Sequence, residues 1–464
     1  MARTFKELGF FPTYVGQIYN GKYVVLRKLG SGTHGCVWLV VNIHTELYHA
    51  MKVLGSGVWV KQRTGRFNEI QILEILRVLS PGSPTANHPG LRYIPELLDG
   101  FMVSGSTGKH FCLVLDVMGE TLSQFASRFP DHKIPVVLVK RFAKQLLLAL
   151  ELAHGKGVIH TDIKPDNIMI PLMDRDSTIK AWLHEDTDPK TKPFFAAAFK
   201  GRLSKATNGS TVGCEAAYPR VDIWSDTACF DRFGRKHGID SKWRNVEPDD
   251  HLSWELEKYH RRDLEEKTAQ EIAEDPAISK LNVQLMDWGL ARWSDPKAPR
   301  TFPQNISAEL FRSPEVVLGA CWTSKTDIWS LGVTLIELLG GVPLFDNRGK
   351  DNKYDELQHI YEMTFPLWKS GIPFPLLDQA RKESRKPWVL DNLDDLGLVC
   401  RYPYLNRRKV RWRDPLFEVP GGPFEGDRED HQKYFSFITN MIQLDPAVRS
   451  SAEQLLKEPW LEGV

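Results

Sequence analysis

No run of about 18 apolar residues occurs in this 464-residue sequence, which excludes a conventional membrane-spanning helix. Excess charge of either sign is missing too: 60 Lys and Arg stand against 59 Asp and Glu, a net charge of +1 at pH 7. With so little bulk charge, attraction to nucleic acid or to a membrane surface would need a local patch. Cysteine is sparse. Its 6 copies, Cys36, Cys112, Cys214, Cys229, Cys321 and Cys400, form no C-x-x-C pair and no metal-binding spacing. Dispersed, reduced thiols in the cytoplasm and/or nucleus are therefore expected. The opening Met1-Ala2-Arg3-Thr4-Phe5-Lys6-Glu7 lacks the apolar stretch of a secretion signal. The expectation is a soluble monomer with no membrane partner. The 42% of hydrophobic and 26% of charged residues suffice for a large core in two or more domain-sized units.

The most informative stretch is Val158-Ile159-His160-Thr161-Asp162-Ile163-Lys164-Pro165-Asp166-Asn167-Ile168. A carboxylate, an ammonium and an amide stand at fixed spacing between an apolar helical run, Val136 to His154, and a short apolar strand, Ile168 to Ile170. That is the layout of a phosphoryl-transfer loop. Asp162 can accept a proton from a hydroxyl, Lys164 can neutralise charge on a transferred phosphoryl group, and Asn167 can hold a metal ion. Such a loop alone is a weak signal, so the rest of the chain decides its meaning.

Upstream, Tyr23 to Leu29 and Cys36 to Val41 read as strands joined through Gly30-Ser31-Gly32-Thr33-His34-Gly35. Glycines between two strands suit a phosphate lid better than a dinucleotide fingerprint, whose glycines open a helix; by itself the stretch is equally a plain hairpin. Before it, the aromatic lead-in Phe10-Phe11 is expected to dock on the body. A third strand, Tyr48 to Val53, sets Lys52 among apolar neighbours, where an ammonium needs a partner. The helix-patterned run Phe67 to Leu76 offers Glu69 and Glu74. Glu69 is the chosen partner, with Leu73 facing the core and Glu74 in solvent. Phe111 to Gly119 reads as a buried strand running into a glycine hinge. The backbone at Asp116 and Met118 would there read an adenine edge, with Leu115 limiting the pocket, although a simple core strand fits the same residues.

Residues 171–280 break the pattern and read as a partly disordered insertion, which also holds an isolated Asp222-Ile223-Trp224-Ser225. Order returns at Asn282 to Ala291, a strand ending in Asp287-Trp288-Gly289, where Asp287 is a second metal-ligand candidate and Trp288 is expected to pack inward. Arg312-Ser313-Pro314-Glu315 follows, then Asp327-Ile328-Trp329-Ser330 and the apolar helix Leu331 to Leu339, expected to be buried. Arg449 is the natural partner of Glu315.

In this order and context the motifs resemble the eukaryotic protein kinase family, and Lys164 its serine/threonine branch. The narrower pattern, Asn20 to Gly30, Val37-Trp38-Leu39 and Ile159 to Asn167 with a large insertion, resembles the SR-protein kinases. Residues 8–170 and 281–463 carry the likeness. The resemblance implies an α+β, bilobal protein-kinase fold: a 1–22 extension, a β-rich N-lobe with hinge over 23–119, and a mainly helical C-lobe over 120–170 and 281–464, interrupted by the 171–280 spacer. ATP and Mg²⁺ are the implied cofactors. Leu29, Gly30, Ser31, Gly32, Gly35, Val37, Ala50, Lys52, Asp116, Met118 and Met169 would contact the nucleotide, Asn167 and Asp287 the metal, and Asp162, Lys164, Lys52 and Glu69 would act in catalysis. Arg/Ser-rich splicing factors are the implied protein substrates.

Departures from the family pattern set further expectations. Thr161 stands where many kinases carry an arginine that receives an activating phosphate, so activity without activation-loop phosphorylation is expected. Trp288 and the divergent glycine loop leave a pseudokinase scaffold as the rival. Only scattered acids, Asp346, Asp351, Asp355 and Glu356, follow Phe345, in the region where the resemblance would put a docking groove for an arginine-rich peptide. Arg401 to Arg413 interleaves basic and aromatic residues, but a solvated or substrate-contacting loop is expected there, not direct nucleic-acid binding. Cys36, just past the glycines, is expected to be a buried filler instead of a reactive thiol.

Overall fold

Adjacent residues of the N-terminal strands go to opposite sides of a sheet, because successive side chains on a strand alternate. The computed structural model describes residues 9–13, 17–32, 34–56, 69–77, 87–105, 107–172, 175, 178–179, 280–294, 306–349, 351–368, 370–384, 386–400, 424 and 427–464. Two units divide the chain. The first comprises Met1–Arg66, Glu96–Gly119 and Pro171–His260, the second Phe67–Pro95, Glu120–Ile170 and Arg261–Val464.

In the first unit, strands β1 (Ile18–Tyr19), β2 (Tyr23–Gly32), β3 (Gly35–Asn42), β4 (Tyr48–Leu54), β5 (Asp99–Gly105) and β6 (Gly108–Leu115) form one sheet in the order β1-β2-β3-β4-β6-β5. All its pairings are antiparallel. One face buries Val25, Val40 and Met51 in a cluster with Phe10, and the other buries Val24, Leu39 and Ala50 with Val117 and Ile179. Phe10 is only 8% exposed, and Phe11 meets the His110 ring edge-on at 5.1 Å. The aromatic lead-in therefore covers a sheet face, as its sequence implies. Cys36 and Cys112 fill the same cluster. Burial pushes the Cys36 thiol up against a weaker downward pull from Lys28, which favours the filler role over a reactive thiolate.

Two departures from the sequence reading concern the strands. Pairing continues through the glycines, Gly32 opposite Gly35, so the hairpin is longer and its turn tighter than expected. Gly35 is required by packing: a Cβ there would lie 2.2 Å from the Val53 carbonyl oxygen on β4. The expected continuous strand from Phe111 to Gly119 is broken. Strand β6 stops at Leu115, and a short strand, β7 (Met118–Thr121), starts after Asp116 and Val117. Aspartate fits a strand poorly, and the Asp116 carboxylate here pairs with Arg175.

The second unit is mainly helical. Helix α1 (Glu69–Arg77) buries Glu69, Ile72, Leu73 and Leu76 and leaves Glu74 exposed. Helix α2 (Val136–Gly155), entered through Pro135, buries Phe142, Leu146, Leu150 and Ala153 at three- and four-residue intervals. After the short helix α3 (Pro314–Leu318) comes α4 (Lys325–Gly340), buried at every position from Thr326 to Ile336. A helix apolar on all sides is stable only when surrounded, and each large apolar residue so buried contributes roughly 1.5–3 kcal/mol. At Gly332 a Cβ would meet Ile442 Cγ2 at 2.8 Å. Substitution of Gly332 would push α4 off the helix Arg428–Met441 that precedes Ile442. Among the described residues no helix is long and apolar enough to cross a membrane. The expectations for Asp222 to Ser225, for the rest of residues 180–279 and for Arg401 to Arg413 lie outside the described residues.

Candidate active site

Two short ladders in the second unit bracket the loop that holds Asp162. Before it, β8 (Val158–Ile159) pairs antiparallel with β11 (Arg292–Trp293); after it, β9 (Ile168–Pro171) pairs antiparallel with β10 (Gln284–Leu285). Residues 160–167 are thereby held against residues 286–291, which contain Asp287. Both connections are also tied directly, by Met286 N donating to Asn167 O at 2.8 Å and Thr161 Oγ1 to Leu290 O at 2.8 Å.

The loop backbone is suspended from Asp327 in the first turn of α4. Its Oδ2 accepts from His160 N and its Oδ1 from Thr161 N, both at 2.8 Å, and His154 Nε2 donates to Oδ2 at 2.9 Å. Asp327 is 1% exposed, so these three donors compensate a buried charge that would otherwise be costly. They also hold Thr161 in a left-handed conformation, φ 69°, which a β-branched residue rarely adopts. His160 Nε2 donates to Met286 O at 2.9 Å, which leaves Nδ1 to accept from Asp162 N at 3.2 Å. The same imidazole stands edge-on to the Trp288 ring at 4.6 Å. Trp288 is fully buried and donates Nε1 to Leu285 O at 2.8 Å. It packs inward as expected.

Asp162 gathers the loop's polar side chains. Its Oδ2 accepts from Lys164 Nζ at 2.9 Å and Asn167 Nδ2 at 2.8 Å, while Oδ1 accepts from Ala308 N at 3.1 Å. Asn167 Nδ2 also donates to Asp162 O at 2.8 Å, which points the amide oxygen to the other side of the group. Asp287 is left-handed, φ 59° and ψ 62°. Three expected site residues, Asp162, Lys164 and Asn167, are thus in direct contact, and the 286–291 segment carrying Asp287 is bonded to their loop. Glu69 and Met169 belong to this unit as well.

The remaining expected residues stand in the first unit. Lys52 is only half-buried in β4, paired with Val37 on β3 and Leu113 on β6. Leu29, Val37 and Ala50 share one apolar sheet face with Val117. Gly30, Ser31 and Gly32 are the end of β2, and nothing lies within 4 Å of where a Cβ would sit on Gly30 or Gly32. Asp116 lies between β6 and β7, and Met118 opens β7.

Several residues at the site escaped the sequence reading. His154 and Asp327 are partners across 173 residues, and Ser307 and Ala308 reach the loop from 146 residues away. A histidine ending a helix or a serine in a loop carries no periodic signal. Asp327 stands out in the sequence before the nearly apolar run Leu331 to Leu339, but its partners do not.

The protein kinase domain family matches residues 23–181 and 275–461. The chain belongs to the protein kinase family. By family it is a phosphotransferase, and the match skips 182–274, inside the expected spacer. It is 27% identical to the protein kinase dsk1 of Schizosaccharomyces pombe, covering 98% of this chain and 84% of that one. It is 26% identical to the serine/threonine-protein kinase SRPK of Physarum polycephalum, covering 99% and 90% respectively. With mouse SRSF protein kinase 3 the identity is 26%, over 98% and 88%. The crystal structure of the PF14_0431 kinase domain superposes with a TM-score of 0.55 at 18% identity, covering 98% of this chain and all of that one, a likeness of fold.

Proposed function

We propose that this protein transfers the terminal phosphoryl group of ATP to serine or threonine hydroxyls of Arg/Ser-rich RNA-processing proteins, as an SR-protein-kinase-like enzyme. The observation that carries the reading is Asp162, whose Oδ2 is held by Lys164 and Asn167 and whose Oδ1, among the described residues, accepts a single backbone N–H. In that state the carboxylate is fixed and Oδ1 keeps a lone pair for a substrate hydroxyl. Asp162 orients the hydroxyl and takes its proton, and Lys164, which already touches Asp162, stabilises charge on the phosphoryl group as it moves.

The donors present suit magnesium. Among the described residues no three His, Cys, Asp or Glu side chains gather to hold a metal. An amide oxygen from Asn167 and a carboxylate from Asp287 would supply the hard, incomplete oxygen set typical of Mg²⁺ sites completed by water and phosphate. When bound, the ion neutralises phosphate charge. The open space beside Gly30 and Gly32 suits backbone lying close over phosphates.

The substrate class has a narrower support, the name of the mouse relative, SRSF protein kinase 3. The scattered acids after Phe345 are occupied locally: Asp355 caps the helix Glu356–Glu362, Glu356 pairs with Lys386 at 2.7 Å, and Asp351 pairs with Lys353 at 3.4 Å. A peptide array comparing Arg/Ser repeats with acidic and proline-directed serines, run beside Asp162→Asn, tests the reading. Arg/Ser repeats should be labelled first. Labelling confined to other serines would overturn the substrate class, and no labelling at all would favour a pseudokinase scaffold.

A further inference from the structure

We infer that Ser307 is a positioning residue for Asp162. This rests on the proposed role of Asp162 in orienting the substrate hydroxyl. Ser307 is left-handed, φ 63°, only 9% exposed, and its Oγ donates to Thr161 O at 2.9 Å. Thr161 is also left-handed, φ 69°. Two disfavoured residues from distant segments therefore clasp each other, and such conformations persist only where the surroundings determine them.

The clasp has a consequence one residue further along each segment. Thr161 precedes Asp162 and Ser307 precedes Ala308, whose N–H donates to Asp162 Oδ1 at 3.1 Å. The bonds Ser307 Oγ to Thr161 O and Ala308 N to Asp162 Oδ1 close a ring between the two segments. Lys164 and Asn167, from the loop itself, hold Oδ2, whereas Oδ1 is held across this ring by Ala308 N. The carboxylate plane is thus set by both segments together. The serine turn is braced from behind by Arg312, whose Nε lies 3.3 Å from both Ile306 O and Ser307 O. Removing the hydroxyl leaves the turn folded but loosens its grip on the carboxylate.

Two variants separate positioning from folding. Ser307→Ala loses the hydroxyl and keeps the backbone penalty, whereas Ser307→Gly loses the hydroxyl and is at ease with φ 63°. Both should lower kcat about ten-fold, the order expected for a lost contact to a reacting group's holder, with KM for ATP unchanged. Their melting temperatures should differ, glycine above alanine. Hydrogen exchange of the peptide around residues 306–311 should quicken in both. Overturning results are a kcat that follows the melting temperature, so that Ser307→Gly matches wild type, or exchange equal to wild type. Asp162→Asn serves as the reference: turnover abolished there but intact in both Ser307 variants defeats the Ser307 assignment alone. A wild type without turnover on any serine peptide defeats the kinase reading and the Ser307 assignment with it.

Discussion

Glu315 and Arg449, 134 residues apart, meet as a two-point ion pair with both side chains fully buried, Arg449 Nη1 2.7 Å from Oε1 and Nη2 3.0 Å from Oε2. The guanidinium spends its other donors on Gln443 O and Lys325 O and faces the Trp329 ring at 5.2 Å. One side chain therefore joins α3, the start of α4 and the turn that follows the helix Arg428–Met441. Breaking such a pair from one side strands a charge in the core and costs about 3–5 kcal/mol. Glu315→Ala and Arg449→Met should each lower the unfolding free energy by that order in urea titrations. A loss below about 1 kcal/mol, the scale of an exposed pair, would show that the core tolerates the orphaned charge.

Asp162→Asn should reduce kcat by about 10²–10⁴-fold, the usual share of a positioned acid or base. The amide keeps the shape of the side chain, so the melting temperature should move little. Full activity in this variant on any serine peptide would remove Asp162 from the chemistry.

Thr161 gives a regulatory prediction. Its hydroxyl is committed to Leu290 O, so the loop is tied to the segment following Asp287 by a neutral bond that needs no phosphate. Phosphatase treatment of the purified protein should leave turnover unchanged, while Thr161→Val, similar in shape but without the donor, should reduce it several-fold. Turnover abolished by phosphatase would refute the first half.

His359 sets a pH dependence. It is fully buried, its ring meets Phe345 edge-on at 4.8 Å, and Tyr354 Oη lies 3.4 Å from Nδ1. Burial, assisted by the charge of Arg312, pushes its pKa down to about 3. The unfolded chain binds the proton more readily than the folded one between about pH 3 and the ordinary histidine pKa of roughly 6.5. Its stabilising contribution is therefore whole above roughly 6.5 and is lost as pH falls toward 3. The wild type should lose stability over that interval by up to about 1.4 kcal/mol per pH unit, and His359→Leu should show a shallower slope. Equal slopes would mean that the histidine takes up a proton without unfolding.

Glu337 works with the opposite sign. Burial pushes its carboxyl pKa up to about 8, with the Leu344 N–H opposing and Asp166 adding to the rise. The folded state holds a proton that the unfolded state releases above roughly pH 4.5. Stability from this group is complete below that value and declines as pH rises through about 8. Glu337→Gln should therefore gain on the wild type as pH is raised from 6 to 9 in thermal melts, and parallel curves would contradict the burial argument.

What could be read in the sequence was whatever depends on spacing or on a large apolar run. The buried helix at Leu331 to Leu339, the core-facing Leu73 beside a solvent-facing Glu74, and the pairing of Glu315 with Arg449 all have such a signature. Ser307 and Ala308 have none, since their contacts depend on a single backbone turn with one left-handed residue. Gly35 was read for phosphates, yet its missing Cβ is demanded by the neighbouring strand. The break at Asp116 was hidden because strand patterning is blind to a salt bridge with Arg175, 59 residues away.

Trp288 provides the sharpest test of whether an unusual residue signals lost activity. Were it a mark of decay, replacing the indole with the smaller phenylalanine ring should improve the enzyme. The packing argues the reverse. The indole is fully buried, donates to Leu285 O at 2.8 Å and stands against His160, which in turn accepts the Asp162 backbone N–H. Trp288→Phe would leave a buried carbonyl without its donor and a gap beside His160, together about 1–3 kcal/mol. The slack would lie beside the imidazole that holds the backbone of the residue whose carboxylate orients the substrate. We expect lower stability in urea titrations and a kcat below wild type, with KM for ATP little changed. A phenylalanine variant that is both more stable and faster would show that the surroundings of Asp162 were built for the smaller ring.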